Sequence, residues 1–270
     1  MAIPLRDDER TRRVPWITIA LIAVNVLVFL FIQPSGYQGG GLAKPQDRYW
    51  QQQDQEQFAY RWGAVACELT NGKALAQHPS GCHADHPGDD LPDDLPQGKS
   101  VTLALLTAMF VHGSIGHLAG NMLFLWVFGS AVEDRLGRLN YLALYLLGGM
   151  VATLGYVAVN AHSPVPLIGA SGAIAVAMGA YFVLLPRGRI LTVIGTAAFQ
   201  VVYVPAAVVL LLFFVTQFFT APDDNTAWEA HAAGMVAGAI AALVLSRIPA
   251  VRQRARADAA DDELRAGVTF

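Results

Sequence analysis

The sequence predicts an all-α polytopic membrane protein: a six-helix transmembrane bundle with N- and C-termini cytoplasmic. Three observations carry that class. Of 270 residues, 54% are hydrophobic and only 14% charged, with a mean hydropathy of +0.41, whereas soluble domains carry about 25% charge. The apolar residues fall into blocks long enough for the roughly 20 helical residues that cross a bilayer. The basic residues sort to one side of those blocks. A net charge of -3 gives no sign of a nucleic-acid partner.

The expected spans are Trp16–Ile32, Ile115–Val132, Leu139–Val159, Leu167–Leu185, Val201–Phe219 and Ala230–Ile248. The stretch Ile190–Phe199 is also apolar, but residues 190–219 are too few for two spans and many for one. Its first part reads as interfacial or as an extension of helix five. The first block lacks a small-residue cleavage motif, so no cleaved signal peptide is expected. The expected domains are a cytoplasmic N-terminal segment 1–15, a membrane domain 16–248 with a long extracytoplasmic loop at about 33–100, and a cytoplasmic tail 249–270. The tail reads as a solvated segment, with a short polar helix as the alternative.

Arginines set the orientation. Arg6, Arg10, Arg12 and Arg13 precede the first span; Arg135 and Arg138 lie between the second and third. Arg187 and Arg189 follow the fourth, and Arg247, Arg252, Arg254, Arg256 and Arg265 follow the sixth. Six crossings put all of these on one side, the cytoplasmic one by the positive-inside rule. A cell membrane of plasma or inner-membrane type is the expected location. Asp7, Asp8 and Glu9 among the N-terminal arginines speak against a mitochondrial address.

That topology brings the intramembrane polar residues to a common depth. Helix four enters from the extracytoplasmic face through "GASG", so Ser171 lies about one turn in. Helix six enters through "WEAHAAGMVAG", which places His231 similarly. Helix two enters through "FVHGSIGHLAGNMLFLW", with His112, His117 and Asn121 in its outer part. Polar groups inside membranes are costly and face a bundle interior or a watery cavity. Ala175 and Gly179 follow Ser171 on one face; Gly234 and Gly238 follow His231. With Gly169 and Gly172 beside the serine, they are small residues that let helices four and six approach closely. Ser171 then faces His231, and a serine needs such a base to become a nucleophile. No carboxylate lies at that depth in either helix, which predicts a dyad. His117 and Asn121, spaced i, i+4, share one face and suit a developing oxyanion. Asn25, alone in the first span, is expected to clamp two helices together.

These residues resemble a known family. "HGSIGHLAGN" fits the H-x4-H-x3-N pattern of the rhomboid intramembrane serine proteases, "GASG" their nucleophile motif and "AHAAGMVAG" their histidine motif. "NVLVF" at Asn25–Phe29 and "EDRLG" at Glu133–Gly137 are similar to rhomboid sequence as well. The resemblance covers about Trp16 to Ile248. It implies the six-helix rhomboid fold, with Ser171 as nucleophile, His231 as general base, and an oxyanion hole formed by His117, Asn121 and the Ser171 backbone N–H. It implies cleavage of transmembrane protein substrates within or beside their membrane helix, with no cofactor and no metal, the site opening to the extracytoplasmic side. The chain departs from the family pattern in its long first loop, where "GAVACEL" carries Ala66 in place of a usual proline. It also has Ala175 where some members carry a tyrosine that packs on the histidine. A non-catalytic rhomboid-like binder of membrane proteins and a transporter are the alternatives.

The chain has two cysteines, Cys67 and Cys82, both in the first loop. A pair on an oxidising side favours a disulfide. With His78, His83 and His86 they are also candidates for a metal, at a spacing that matches no standard zinc pattern.

Overall fold

The computed structural model describes residues 2–8, 11–34, 45–77, 82, 94–195, 199–216 and 227–267. In chain order the elements are β1 (Ala2–Asp7), α1 (Trp16–Ile32), α2 (Pro45–Trp62), β2 (Ala64–Val65) and α3 (Ala66–Asn71). Then come α4 (Val101–Phe110), α5 (Ile115–Leu136), α6 (Arg138–Val159), β3 (Pro166–Leu167) and α7 (Ser171–Leu184). The hairpin β4 (Arg189–Gly195) and β5 (Phe199–Pro205) leads to α8 (Ala206–Thr216), α9 (Trp228–Leu245) and α10 (Pro249–Gly267). Among the described residues, α5, α6 and α9 are long and apolar enough to cross a membrane; α1, α4, α7 and α8 are apolar but shorter.

The centre of the bundle is α7, in which every residue from Ala173 to Tyr181 is buried. A helix apolar on all sides is one that is surrounded. Its neighbours α6 and α9 turn small residues toward it and large ones outward: Leu147, Val159, Val236 and Ile240 are all exposed. That inside-out pattern suits a lipid surround, where close packing rather than hydrophobicity joins helices.

One end of the bundle is held by charges. Glu133, near the end of α5, accepts hydrogen bonds from Ile17 N (3.0 Å), Thr18 N (2.8 Å) and Thr18 Oγ1 (2.8 Å). A carboxylate there satisfies the open N–H groups of α1 and suits the positive end of its dipole. Asp134 accepts from Arg12 N (3.0 Å) and Arg13 Nη1 (3.1 Å). Arg13 Nη2 also reaches Asp258 of α10 at 3.0 Å. The segment 249–267 is therefore a helix packed on the bundle, with Val251 and Asp258 buried, and not a solvated tail.

Residues 201–205, expected as the start of a membrane helix, form β5 instead. They pair antiparallel with β4 from Arg189↔Pro205 to Gly195↔Phe199, and β1 pairs along the other edge of β4, from Ala2↔Ile194 to Asp7↔Ile190. Val201, Val202, Tyr203 and Val204 are β-branched or aromatic, a composition that favours strands. An apolar run alone does not tell a strand from a helix. The fifth helix is thus Ala206–Thr216; the expected remainder to Phe219 lies outside the described residues. Asn25, fully buried, donates to Leu21 O of its own helix at 2.8 Å, and its side chain also meets the Tyr145 hydroxyl of α6, the contact between two helices expected from the sequence.

Glu133→Ala removes three hydrogen bonds from a buried helix start. It is expected to lower stability by about 2–4 kcal/mol, read as the shift in unfolding midpoint in mixed micelles.

Candidate active site

The expected fourth span, Leu167–Leu185, is divided in the structure. Pro166 and Leu167 form β3, paired with β2. Gly169 takes φ +116, a conformation open to glycine, and its N–H donates to Ala108 O at 2.9 Å. The helix then begins at Ser171 itself. Ser171 stands at a helix N-terminus, where the first backbone N–H groups have no intrahelical acceptor.

His231 lies in the first turn of α9 and is 6% exposed. Its Nε2 is 2.7 Å from Ser171 Oγ. Close approach of α7 and α9 makes this contact. A Cβ added to Gly238 would sit 1.9 Å from Val176 O, one on Gly179 2.0 Å from Met235 O, and one on Gly234 2.6 Å from Gly172 O. Gly172 meets Ala152 of α6 in the same way, at 3.1 Å, and Ala175 is fully buried against Gly234.

His117 and Asn121 of α5 converge on the turn before the serine. A Cβ on Gly169 would lie 2.8 Å from the His117 imidazole and 3.5 Å from Asn121 Nδ2. Gly169 was expected to support helix packing; it lies outside α7 and lets these two side chains reach the turn. Asn121 is buried, and its Nδ2 has no hydrogen-bond partner among the described residues. His112 is fully buried, its ring edge-on to His117 with centroids 5.2 Å apart. Gln33, at the end of α1, fixes it by bonding both its backbone N–H and its carbonyl.

The first loop abuts this turn. Cys67 and Cys82 are joined by a disulfide, and Cys67 packs with Tyr60, Val65 and Leu75. Cys67 N donates to Ser163 O at 3.1 Å, just ahead of β3, and Glu68 forms a buried ion pair with Lys99. His78, His83 and His86 lie outside the described residues.

With that geometry, the comparisons with known proteins decide the family. A model described as Rhomboid domain matches residues 99–248, more than half the chain. The chain belongs to the rhomboid family. The rhomboid protease GluP of Bacillus subtilis is 36% identical over 143 residues, 52% of this chain and 25% of GluP. The mitochondrial presenilin-associated rhomboid-like protein A of Danio rerio is 36% identical over 97 residues, 35% of this chain and 25% of that protein. The mitochondrial Rhomboid protein 1 of Saccharomyces cerevisiae is 33% identical over 93 residues, 33% of this chain and 27% of that one. The chain thus matches about a quarter of the length of these relatives.

These relatives overturn the expected cell-membrane address, since two of the three are mitochondrial by name. Of the acidic residues read against that address, Glu9 lies outside the described residues, and the other two join the sheet end of the bundle. Asp7 pairs with Ile190 in the sheet, and Asp8 Oδ1 accepts from Arg189 N at 2.8 Å.

One residue of the rhomboid site carried no signal in the sequence. Phe213 of α8 places its ring 5.8 Å from that of His231, tilted by 49°, and 5.1 Å from Phe124 of α5. A phenylalanine in an apolar helix is indistinguishable from a core residue until the helices are placed. The aromatic neighbour of His231 thus comes from α8, while the position one turn after the serine is Ala175.

An aromatic contact is worth about 0.5–1.5 kcal/mol beyond its burial, so Phe213→Ala is expected to slow fluorophosphonate labelling of Ser171 by about three- to tenfold. Phe213→Tyr should restore the rate. Equal rates in wild type and Phe213→Ala would make the ring a packing residue alone.

Proposed function

We propose that this rhomboid is an intramembrane serine endopeptidase that cleaves transmembrane protein substrates within or beside their membrane helix. The observation that carries the reading is the 2.7 Å contact between Ser171 Oγ and His231 Nε2, made by two helices inside an apolar bundle. Polar groups are costly there, and a serine hydroxyl held against an imidazole nitrogen is the arrangement that makes the serine a nucleophile.

In this reading neutral His231 Nε2 takes the Ser171 hydroxyl proton as Oγ attacks the scissile carbonyl carbon. The carbonyl oxygen becomes an oxyanion, received by Asn121 Nδ2, the His117 imidazole N–H and the Ser171 backbone N–H. Collapse breaks the peptide C–N bond, and the proton on His231 passes to the leaving amine. Water, deprotonated by His231, then releases the acyl group and restores the serine. The Nδ2 of Asn121, without a partner among the described residues, and the bare turn at Gly169 support the placement of the oxyanion.

The six crossings of the proposal are α1, α5, α6, α7, α8 and α9, within the membrane domain 16–248. The 14 residues of α7 span about 21 Å at 1.5 Å each, short of a hydrocarbon core of roughly 30 Å. The deficit leaves Ser171 below the membrane surface with room for water above it. The compartment named for two of the relatives supports a mitochondrial membrane as its place.

The test is cleavage of a model single-span substrate by the reconstituted protein. Ser171→Ala and His231→Ala are each expected to abolish turnover while leaving the fold intact. Turnover by Ser171→Ala would overturn the proposal, and so would failure of wild type to label with a fluorophosphonate, the result expected of a non-cleaving binder.

Asn121→Ala is expected to lower turnover about 10²–10³-fold, the usual loss for one preorganised oxyanion donor. Unchanged turnover would leave Asn121 as a helix-packing residue.

A further inference from the structure

A cavity away from Ser171 lies at the end of the bundle where Glu133 caps α1. It measures about 520 Å³ and is lined by Arg13, Arg138 and Arg254 together with Val14, Pro15 and Leu139. Glu133 and Asp134 also line it, but their carboxylates are engaged: Glu133 on the α1 N–H groups, Asp134 on Arg12 and Arg13. Arg13 is committed to Asp134 and Asp258. Among the described residues, Arg138 and Arg254 have neither a hydrogen bond nor an ion pair, so of the three arginines that line the cavity these two keep their guanidinium groups for a ligand.

Arg254 is held in place. Its guanidinium lies over Gly137, where an added Cβ would meet Cζ and both terminal nitrogens at 3.0–3.2 Å. Gly137 has φ +81, so its conformation and its lack of a side chain both serve this seat. A half-buried guanidinium packed on backbone, with no carboxylate bonded to it among the described residues, is a preorganised phosphate donor. The rim is of the opposite character: Val14 is 53% and Leu139 81% exposed, and Trp16 beside them is 56% exposed. Exposed apolar and aromatic residues flanking arginines at a bundle end match the boundary between headgroups and acyl chains.

We propose that this cavity binds the phosphate of an anionic phospholipid headgroup, with Arg138 and Arg254 as the phosphate ligands and Val14 and Leu139 against the acyl chains. Basic pockets between membrane helices are suited to such lipids. The site joins the start of α1, the turn between α5 and α6, and α10, so an occupied site clamps three segments that are distant in sequence.

The test is native mass spectrometry of the detergent-solubilised protein with added phosphatidylglycerol, phosphatidylcholine or inorganic phosphate. Wild type is expected to retain one phosphatidylglycerol. Arg138→Gln with Arg254→Gln should weaken retention about thirtyfold, the worth of two interfacial arginines. Arg252→Gln with Arg256→Gln removes the same charge from exposed positions of α10 that do not line the cavity, and should leave retention unchanged. Arg138→Gln alone, at an exposed position, should give about a fivefold loss and covers the case of a double variant that does not fold. Equal retention by wild type and the cavity variants would overturn the proposal. Equal loss in the control pair would reduce it to general charge attraction and overturn the site. Retention of inorganic phosphate with no lipid would overturn the headgroup assignment.

Discussion

The close approach of α7 and α9 is the constraint on which the rest depends. Where Gly179 faces Met235 O and Gly238 faces Val176 O, there is no space for a single methyl group. The two backbones touch, and the touching fixes their relative height and rotation. Ser171 and His231 both lie at the same end of that seam, one at the first residue of its helix and the other a turn into its own. A 2.7 Å contact between two short side chains leaves no slack for a wider seam. In lipid there is no hydrophobic force to press helices together, so backbone contact and dispersion must supply the precision.

The same closeness shapes what stands beside the histidine. Ala175 is fully buried, and Gly234 approaches it to within van der Waals contact. A tyrosine at Ala175 would have to push α9 away. The aromatic neighbour is supplied from outside the seam by Phe213, which also touches Phe124. A residue between α5 and the histidine links the placement of α8 to the geometry of the pair, a link that a side chain on α7 would not make.

Both ends of the bundle are fastened by strand pairing and ion pairs, and the Ser171 end by a disulfide as well. At the Ser171 end, the first loop is pinned by a disulfide, a buried Glu68–Lys99 pair and a two-residue strand pairing that leads directly into the turn at Gly169. At the other end, the sheet of β1, β4 and β5 and the Arg–Asp contacts of α10 gather four segments. Between them, Asn25 and Thr153 each donate to a backbone carbonyl of their own helix, which suits a place where an unsatisfied group is expensive.

The sequence by itself determined the mostly helical, membrane-type character, the family and the residues that meet, but not the two small sheets that break the expected all-α class. Apolar blocks set the helices α1, α5, α6 and α9 nearly to their ends, because a bilayer demands continuous apolar helix. Glycine and alanine at i+4 spacing marked the seam, because nothing else allows backbone contact. Ser171, His231, His117 and Asn121 stood out because polar residues are rare in such blocks. The sequence was silent wherever an apolar residue had more than one use. Valines 201, 202 and 204 read as helix and became a strand, since pairing with β4 settles what hydropathy leaves open. Leu167 and Gly169 read as helix and became the turn that exposes Ser171, since strand pairing and a positive φ outweigh an unbroken apolar run. Phe213 at the histidine and Arg254 over Gly137 are contacts between elements far apart in the chain. Only the packing of the helices decides them, because no local pattern records which residue a distant helix will meet.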